Sequence, residues 1–376
     1  IMKILTVTNY YPPHFIGGYE IACKDTMNYL NSMGHEIKVL SSNYLKSDED
    51  EKNISRDMQL IDYNNTSKYQ KKIYEYENYT ILKEEIESFK PDLVYFWSLR
   101  GIGIEMIKAV EEKSLAKVFE IGDFWMYGYM QNSFKKKLKS FIPFLADYRP
   151  EISPSICVSE WVSDEMQEVY GSKTTYMYPN ATFIPQVTLR NNEKIKFVFS
   201  GRIDEEKGLD IAIKALNKFA KKYPESDFSF DIYGDGKDSY IQECKLLAKP
   251  IKSQVGFKGK VKSKRDIYAN ATILLMPTRM REPFGLVVIE AMANKCAVIA
   301  TNAYGPAEII DHEVNGLLFD IEKEDELFLQ IQKLYFNKEL LCKIQDNAYE
   351  HVSSKYSIMH VKPKIEKLLQ SIAGVA

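Results

Sequence analysis

The stretch that decides the fold is Arg281-Glu282-Pro283-Phe284-Gly285-Leu286-Val287-Val288-Ile289-Glu290-Ala291-Met292. It follows an apolar run, Ile273 to Met276, that predicts a strand, and it opens a helix at Leu286. Free N–H groups and the positive end of the helix dipole then lie at the carboxyl end of a strand, which predicts an anion site. Glu282 and Glu290 are candidate acceptors for hydroxyl groups. The alternative is an ordinary helix start with glutamates near the positive dipole end.

A second loop of the same kind runs from Ser200 to Gly208, again between an apolar strand and a helix. Arg202 supplies a guanidinium fork and Lys207 a point charge, and both are usual partners of a diphosphate. Either cation alone would be interpreted as a solvated surface residue. Two such loops at the carboxyl ends of one sheet favour anion binding instead.

Strand and helix patterns alternate along the chain, which predicts an α/β fold with parallel sheets covered on both faces. A helix is predicted over Ile102 to Lys113, and a linker over Tyr178 to Glu193, where two prolines interrupt the periodicity. We therefore predict two Rossmann-like domains, residues 1–185 and 186–376, with parallel sheets facing a cleft. The last helix, about residues 356–376, is expected to pack back across the junction.

Composition excludes other classes. The 376 residues suit two domains, and 50 Lys plus Arg against 52 Asp plus Glu leave a net charge of -2. No global basic excess exists for nucleic-acid binding, so no nucleic-acid partner is expected. Five scattered cysteines without C-x-x-C spacing favour a reducing compartment. Since no apolar run has the length of a membrane span and the start does not resemble a signal peptide, we expect a cytoplasmic protein.

Together the motifs carry a resemblance to a known family. In chain order they are Gly201-Arg202, Lys207-Gly208, Tyr233-Gly234-Asp235-Gly236, Glu282 through Glu290, Gly305-Pro306-Ala307-Glu308-Ile309 and Asn315-Gly316-Leu317. This combination resembles the retaining GT-B glycosyltransferases of family four, the glycosyl transferases group 1, over nearly the whole chain. The N-terminal half is similar mainly through Gly17-Gly18 and Gly34-His35-Glu36.

The resemblance implies transfer of a sugar from a nucleotide-diphosphate donor, most commonly a UDP-sugar, to an acceptor hydroxyl. It implies retention of configuration, no metal ion or other cofactor, and a glycan or lipid-linked acceptor in bacterial cell-surface polysaccharide synthesis. By this analogy Arg202 and Lys207 hold the diphosphate, Glu282 holds the sugar and distal phosphate, and Glu290 holds the ribose. The further donor-binding positions would be Gly17, Gly18, Gly201, Val261, Phe284, Gly285 and Leu286.

One position departs from the family pattern. Family members commonly carry a His near the end of an N-terminal strand, where this chain reads Glu120-Ile121-Gly122-Asp123-Phe124-Trp125. Gly122 stands in the place of that His. Either Asp123 or Glu120 takes over a contact to the sugar or acceptor, or the donor sugar lacks the group that the His would meet. For Asp123 an N-cap or turn role is an equal alternative.

Residues 133–145 form a candidate membrane-surface helix. Four lysines between 135 and 139 accompany apolar residues at helical spacing, which is typical of a basic amphipathic helix. Such a helix either lies on an anionic membrane, making the protein peripheral, or packs on the core with a solvated lysine face.

Three other functions stay open. A catalytically silent nucleotide-sugar-binding protein would explain the missing His, although Arg202, Lys207, Glu282 and Glu290 are all present. Another GT-B activity, such as an epimerase or a phosphorylase, would use the same cleft. A nicotinamide dehydrogenase is disfavoured because neither half contains a G-x-G-x-x-G fingerprint.

Overall fold

The computed structural model describes residues 1–45, 53–127, 148–187, 192–261 and 264–375. They form two compact units: residues 1–179 with 362–376, and residues 180–361. The predicted membrane-surface helix at 133–145 lies outside the described residues. Within these ranges, no helix combines the length and hydropathy needed to cross a bilayer.

The N-terminal unit is built on a seven-stranded sheet in which every strand pair is parallel. The spatial order is β3-β2-β1-β4-β5-β6-β7. Its strands are β1 (Lys3–Val7), β2 (Glu36–Ser42), β3 (Ile54–Met58), β4 (Leu93–Phe96), β5 (Ala116–Ile121), β6 (Ser155–Cys157) and β7 (Thr175–Met177). The described helices between them are α1 (Gly18–Ser32), α2 (Lys68–Phe89), α3 (Ile107–Glu112) and α4 (Glu160–Glu168).

The C-terminal unit repeats the plan with a six-stranded parallel sheet in the order β10-β9-β8-β11-β12-β13. Its strands are β8 (Ile195–Ser200), β9 (Phe228–Tyr233), β10 (Val255–Gly259), β11 (Ile273–Met276), β12 (Ala297–Thr301) and β13 (Leu317–Phe319). Its helices are α5 (Leu209–Lys222), α6 (Asp238–Leu247), α7 (Lys264–Tyr268), α8 (Leu286–Ala293), α9 (Tyr304–Ile309), α10 (Glu324–Phe336) and α11 (Lys338–Lys355). The last helix, α12, spans Ile358–Ala373. The prediction of two parallel-sheet, Rossmann-like domains is confirmed.

Some local predictions are wrong. The helix predicted over Ile102 to Lys113 covers only Ile107–Glu112. Gly101 and Gly103 before it have φ of 76° and 84°, which right-handed helix does not allow. The sequence reading also missed β3, β7 and β13, all three of which are edge strands. A short edge strand lacks the long apolar pattern of a strand buried on both faces.

The end of the chain belongs to the N-terminal unit through buried polar contacts of α12. Lys362 Nζ donates to Thr26 Oγ1 on α1 at 2.6 Å. Glu366 lies 3.0 Å from His35 Nε2 and accepts from the Tyr29 hydroxyl at 3.2 Å. Because the Met2 N–H donates to His35 Nδ1 at 3.0 Å, that nitrogen carries no proton, and the neutral ring donates from Nε2 to Glu366.

A buried acid, Glu120, lies at the end of β5 in the same unit. Only 3% of Glu120 and 4% of Lys362 are exposed, and the Tyr95 hydroxyl donates to Glu120 Oε2. Burial raises the pKa of Glu120 to about 7, although the Tyr95 hydrogen bond and the charge of Lys362 act in the opposite direction. Burial also lowers the pKa of Lys362, against the nearby charge of Glu120.

Glu120→Gln is expected to change how stability depends on pH. Folding raises the pKa of Glu120 from 4.5, its value in the unfolded chain, to about 7. Its contribution to stability is therefore complete at pH values below 4.5 and is lost as the pH rises through about 7. Gln keeps an acceptor for Tyr95 and does not titrate. The melting temperature of the variant relative to the native chain should therefore rise between about pH 5 and about pH 8. Thermal unfolding over that range checks this, with the exposed-site variant Glu339→Gln as control, and a constant difference contradicts it.

Candidate functional site

The strand order of the C-terminal unit creates a switch point between β8 and β11. The chain leaving β8 proceeds to β9 on one side, and the chain leaving β11 proceeds to β12 on the other. In open parallel sheets ligands bind where neighbouring loops diverge in this way, outside the carboxyl ends of the strands. The loop 201–208 follows β8 and the loop 277–285 follows β11, so both predicted anion loops border this point.

Glycines let these loops approach their neighbours more closely than any side chain would allow. Gly208 has a φ of 69°, and a Cβ there would lie 1.9 Å from the carbonyl oxygen of Pro277. Gly234 has a φ of 136°, and a Cβ there would lie 1.8 Å from the carbonyl oxygen of Gly201. The Lys207-Gly208 and Gly234 motifs therefore serve backbone packing that holds the two loops against their neighbours.

Lys207 and Glu282 meet at the switch point. Lys207 Nζ lies 2.6 Å from Glu282 Oε2, and 19% and 16% of the two side chains are exposed. Asp204 caps the 3₁₀ turn Glu205–Lys207 by accepting from the Lys207 N–H at 3.0 Å. Arg202 is more open, with 53% of its side chain exposed and Nη1 3.4 Å from Asp204 Oδ2. The structure thus brings together Lys207 and Glu282 and leaves Arg202 at the surface of the same loop.

Arg279 braces the loop that carries Lys207. Its Nη1 and Nη2 lie 2.7 and 2.9 Å from the two carboxylate oxygens of Asp210, and Nη1 also donates to the Glu205 carbonyl at 2.7 Å. Burial alone would raise the pKa of Asp210, but the hydrogen bonds from Arg279, Lys214 and Tyr240 hold it well below its usual range. Bidentate pairing of this kind fixes orientation as well as charge.

Gly305 packs against the backbone of the segment Glu282 to Leu286. The Gly305 N–H donates to the Glu282 carbonyl at 3.0 Å, and a Cβ on Gly305 would lie 2.3 Å from the Phe284 carbonyl oxygen. Phe284 is buried, with its ring 5.8 Å from that of Tyr356. Phe284 therefore anchors the loop, and the backbone at Gly285 and Leu286 forms the start of α8.

Glu290 lies in the second turn of α8 and is buried. Burial raises the pKa of Tyr268 well above its ordinary value, and the charge of Glu290 acts in the same direction. Val261, predicted near the base, follows edge strand β10 and is 37% exposed. Neighbouring Lys260 lies 3.6 Å from Asp235.

The glycine pair of the N-terminal unit begins α1. Gly17 is the N-cap residue and Gly18 the first helical residue. The Gly17 N–H donates to the Glu20 carboxylate at 2.9 Å. The backbone N–H predicted to approach a phosphate is therefore hydrogen-bonded to a side chain of α1. Burial raises the pKa of Glu20, against this hydrogen bond.

Gly122 and Asp123 follow β5 at the same edge of the sheet. Asp123 accepts from the Trp125 N–H at 3.0 Å and lies 3.1 Å from Arg100 Nη2, with 35% of its side chain exposed. Burial raises the pKa of Asp123 although Arg100 acts in the opposite direction. Glu120, in contrast, points into the buried contact with Tyr95. Of the two acids proposed to replace the family His, Asp123 is the more exposed.

Sequence reasoning missed three residues at these edges: Arg279, Asp210 and Arg100. Arg279 and Arg100 each follow an interior strand by three or four residues, which is the available signal. For Asp210 the sequence contains no such signal, because an acid in the first turn of a helix usually interacts with the helix dipole alone.

The geometry of the C-terminal unit suits a ligand with phosphates and hydroxyls. Lys207 and Arg202 supply positive charge, the start of α8 supplies N–H donors, and Glu282 and Glu290 supply acceptors. An ammonium group paired with a carboxylate can exchange that partner for a phosphate oxygen when the carboxylate gains a hydroxyl donor in return.

Two family profiles match successive parts of the chain. The profile described as Glycosyltransferase Family 4 matches residues 16–181, and the profile described as Glycosyl transferases group 1 matches residues 180–351.

Full-length relatives and solved structures agree with these profiles. An uncharacterised glycosyltransferase of Methanocaldococcus jannaschii is 26% identical, over 98% of this chain and 99% of its own. An uncharacterised 42.6 kDa protein in the cps region of Klebsiella pneumoniae is 25% identical, over 87% of this chain and 92% of its own. The crystal structure of Anabaena HepE in complex with UDP-glucose has a TM-score of 0.75 and 19% identity, covering 99% of this chain and 100% of the other. The last likeness shows the GT-B fold.

Together the two profiles run from residue 16 to residue 351, and the group 1 profile covers both Lys207 and Glu282, which meet at 2.6 Å. The chain belongs to the group 1, family 4 glycosyltransferases of the GT-B fold.

Proposed function

We propose that this glycosyltransferase moves a sugar from a UDP-sugar to a hydroxyl of a glycan or lipid-linked acceptor. Configuration at the anomeric carbon is retained, and no metal ion takes part. The observation that carries the proposal is the Lys207–Glu282 pair, 2.6 Å apart, beside the N-terminus of α8 at the switch point.

The diphosphate is the best match to the positive groups of this edge. Breaking the glycosidic bond leaves negative charge on the departing diphosphate, and a fixed cation stabilises that charge most in the transition state. Lys207 is held by Asp204 on its own turn and by a loop that Arg279 braces. Arg202, which is more exposed, supplies the second cation. These groups supply the charge compensation for which other enzymes use a divalent ion.

The carboxylates suit the hydroxyl groups of the donor. When a phosphate oxygen binds Lys207, Glu282 Oε2 becomes available to a sugar hydroxyl. Glu290, one turn further along α8, accepts from the ribose hydroxyls. Buried carboxylates that accept hydrogen bonds from hydroxyls discriminate strongly against ligands that lack them, since the acid is then left unpaired.

The identity of the donor and acceptor rests on relatives and on the family resemblance. A structural neighbour binds UDP-glucose, which supports a UDP-sugar, and retention follows from the resemblance alone. A relative in the cps region supports a role in cell-surface polysaccharide synthesis.

The chain is expected to bind UDP in preference to GDP, ADP, TDP and NAD without a metal ion. A ligand that binds only the folded state raises the melting temperature by mass action, by an amount that grows with its concentration above Kd. The measurement is thermal unfolding with each nucleotide, with and without EDTA. Turnover of UDP-sugars follows, with the anomeric configuration of the product read by NMR. A UDP shift abolished by EDTA contradicts metal independence, and an inverted product contradicts retention.

Lys207→Ala is expected to lower kcat by about 10²- to 10³-fold, because one donor to the developing charge is lost. The matched control is Lys218→Ala, which removes a lysine of α5 that is 48% exposed and pairs with Asp325, 72% exposed. The control should keep kcat within about threefold, as an exposed ion pair contributes little. Steady-state kinetics with UDP release as the signal checks both, and near-native turnover by Lys207→Ala removes the role assigned to this residue.

A further inference from the structure

Tyr19 and Gly122 compete for one volume at the carboxyl edge of the N-terminal sheet. A Cβ on Gly122 would lie 2.4 Å from both Cδ2 and Cε2 of the Tyr19 ring and 3.2 Å from Cζ. Real Cβ atoms essentially never come so close to another heavy atom, so no side chain fits at 122 while the ring stays in place. The absent imidazole at 122 and the tyrosine at 19 are therefore one structural feature.

The Tyr19 ring is fixed and cannot simply move aside. Its hydroxyl donates to the Glu120 carbonyl at 2.6 Å, and its ring centroid lies 5.3 Å from that of Trp97. Burial, followed by the charges of Asp123 and Glu120, raises the pKa of Tyr19 well above its ordinary value, so the hydroxyl stays a donor. Displacing the ring would break the hydrogen bond and the aromatic packing together.

The pair lies at the switch point of this sheet. The chain from β1 proceeds to β2 and the chain from β4 proceeds to β5 on the other side, so the loops after β1 and β4 diverge. Tyr19 follows β1, Arg100 follows β4, and Gly122 with Asp123 follows β5 next to it. The Tyr19 side chain, which is partly buried, and the Asp123 carboxylate, which is 35% exposed, both lie at this edge.

We infer that Tyr19 is a specificity-determining residue, whose ring replaces any side chain at 122 and, together with Asp123, shapes the surface that receives a pyranose ring. An aromatic face accepts the C–H groups of a pyranose, and a carboxylate accepts its hydroxyl hydrogen bonds. The pyranose belongs either to the donor or to the acceptor, and both have this chemistry. The identity of the ligand rests on the proposed function. The steric exclusion between positions 19 and 122 is independent of that function.

Unfolding measurements test the exclusion without any activity. Gly122→His should lower the melting temperature by about 5 °C or more, because overpacking displaces the anchored ring. In the Tyr19→Ala background the same change should cost at most about half as much, since the volume is free. The control is Gly17→Ala, whose Cβ would have only Glu20 Oε2 within reach, at 4.0 Å. Equal losses in both backgrounds overturn the inference.

Selectivity ratios test the role of the ring, because they do not change when a variant only loses active enzyme. In one arm, kcat/KM and calorimetric Kd are compared among UDP-glucose, UDP-galactose and UDP-N-acetylglucosamine. In the other arm, one donor is used with a panel of monosaccharide glycosides as acceptors. Tyr19→Ala should shift a ratio by about tenfold in one arm, whereas Tyr19→Phe, which keeps the ring, stays within about twofold.

The arm that responds assigns the pyranose to donor or acceptor. Unchanged ratios in both arms for Tyr19→Ala overturn the inference while leaving the proposed function intact. Absence of turnover with every sugar nucleotide contradicts the proposed function. The ratios of calorimetric Kd values among the UDP-sugars then test Tyr19 by themselves, and unchanged ratios overturn its role.

Discussion

Parallel strand pairing is the constraint on which the rest of this structure depends. Because every paired strand of each sheet runs in the same direction, every strand ends at one edge, and each return passes through a connection that crosses a face of the sheet. In the C-terminal unit this brings Lys207 and Glu282, 75 residues apart in sequence, within 2.6 Å. The glycines at 208 and 234 then let neighbouring loops approach by backbone alone. The site thus follows from topology first and from side-chain chemistry second.

The sequence predicted the interior of both sheets and the two loops of the C-terminal site, because buried strands are continuously apolar and the motifs lie within single loops. It did not predict β3 or β7, whose short edge segments carry polar residues, nor the extent of α3, where two glycines change the backbone. The Arg279–Asp210 brace joins residues that only the fold brings together. The Tyr19–Gly122 exclusion was also out of reach, since a glycine in sequence does not reveal what occupies the space beside it.

The N-terminal unit keeps unusual charges in its interior. Lys362, from the last helix, is buried against Thr26 on α1 and close enough to Glu120 for their charges to interact. Burying a charge is costly unless the group is paired and hydrogen-bonded. Lys362 has the Thr26 hydroxyl as a hydrogen-bond partner and the opposite charge of Glu120 nearby, and its bond to Thr26 ties α12 to α1. Glu120 also accepts from Tyr95, and its carbonyl accepts from Tyr19, so the same strand end supports both the core and the edge where Gly122 lies.

The central claim is that Lys207 and Glu282 form the donor-diphosphate end of the site. The most direct test is a crystal structure of the chain with UDP bound. The account predicts a β-phosphate oxygen within hydrogen-bond distance of Lys207 Nζ, at about 2.7–2.9 Å, with the phosphate at the start of α8 and the ribose hydroxyls on Glu290. UDP bound elsewhere, with Lys207 still paired to Glu282 and no phosphate contact, would contradict it.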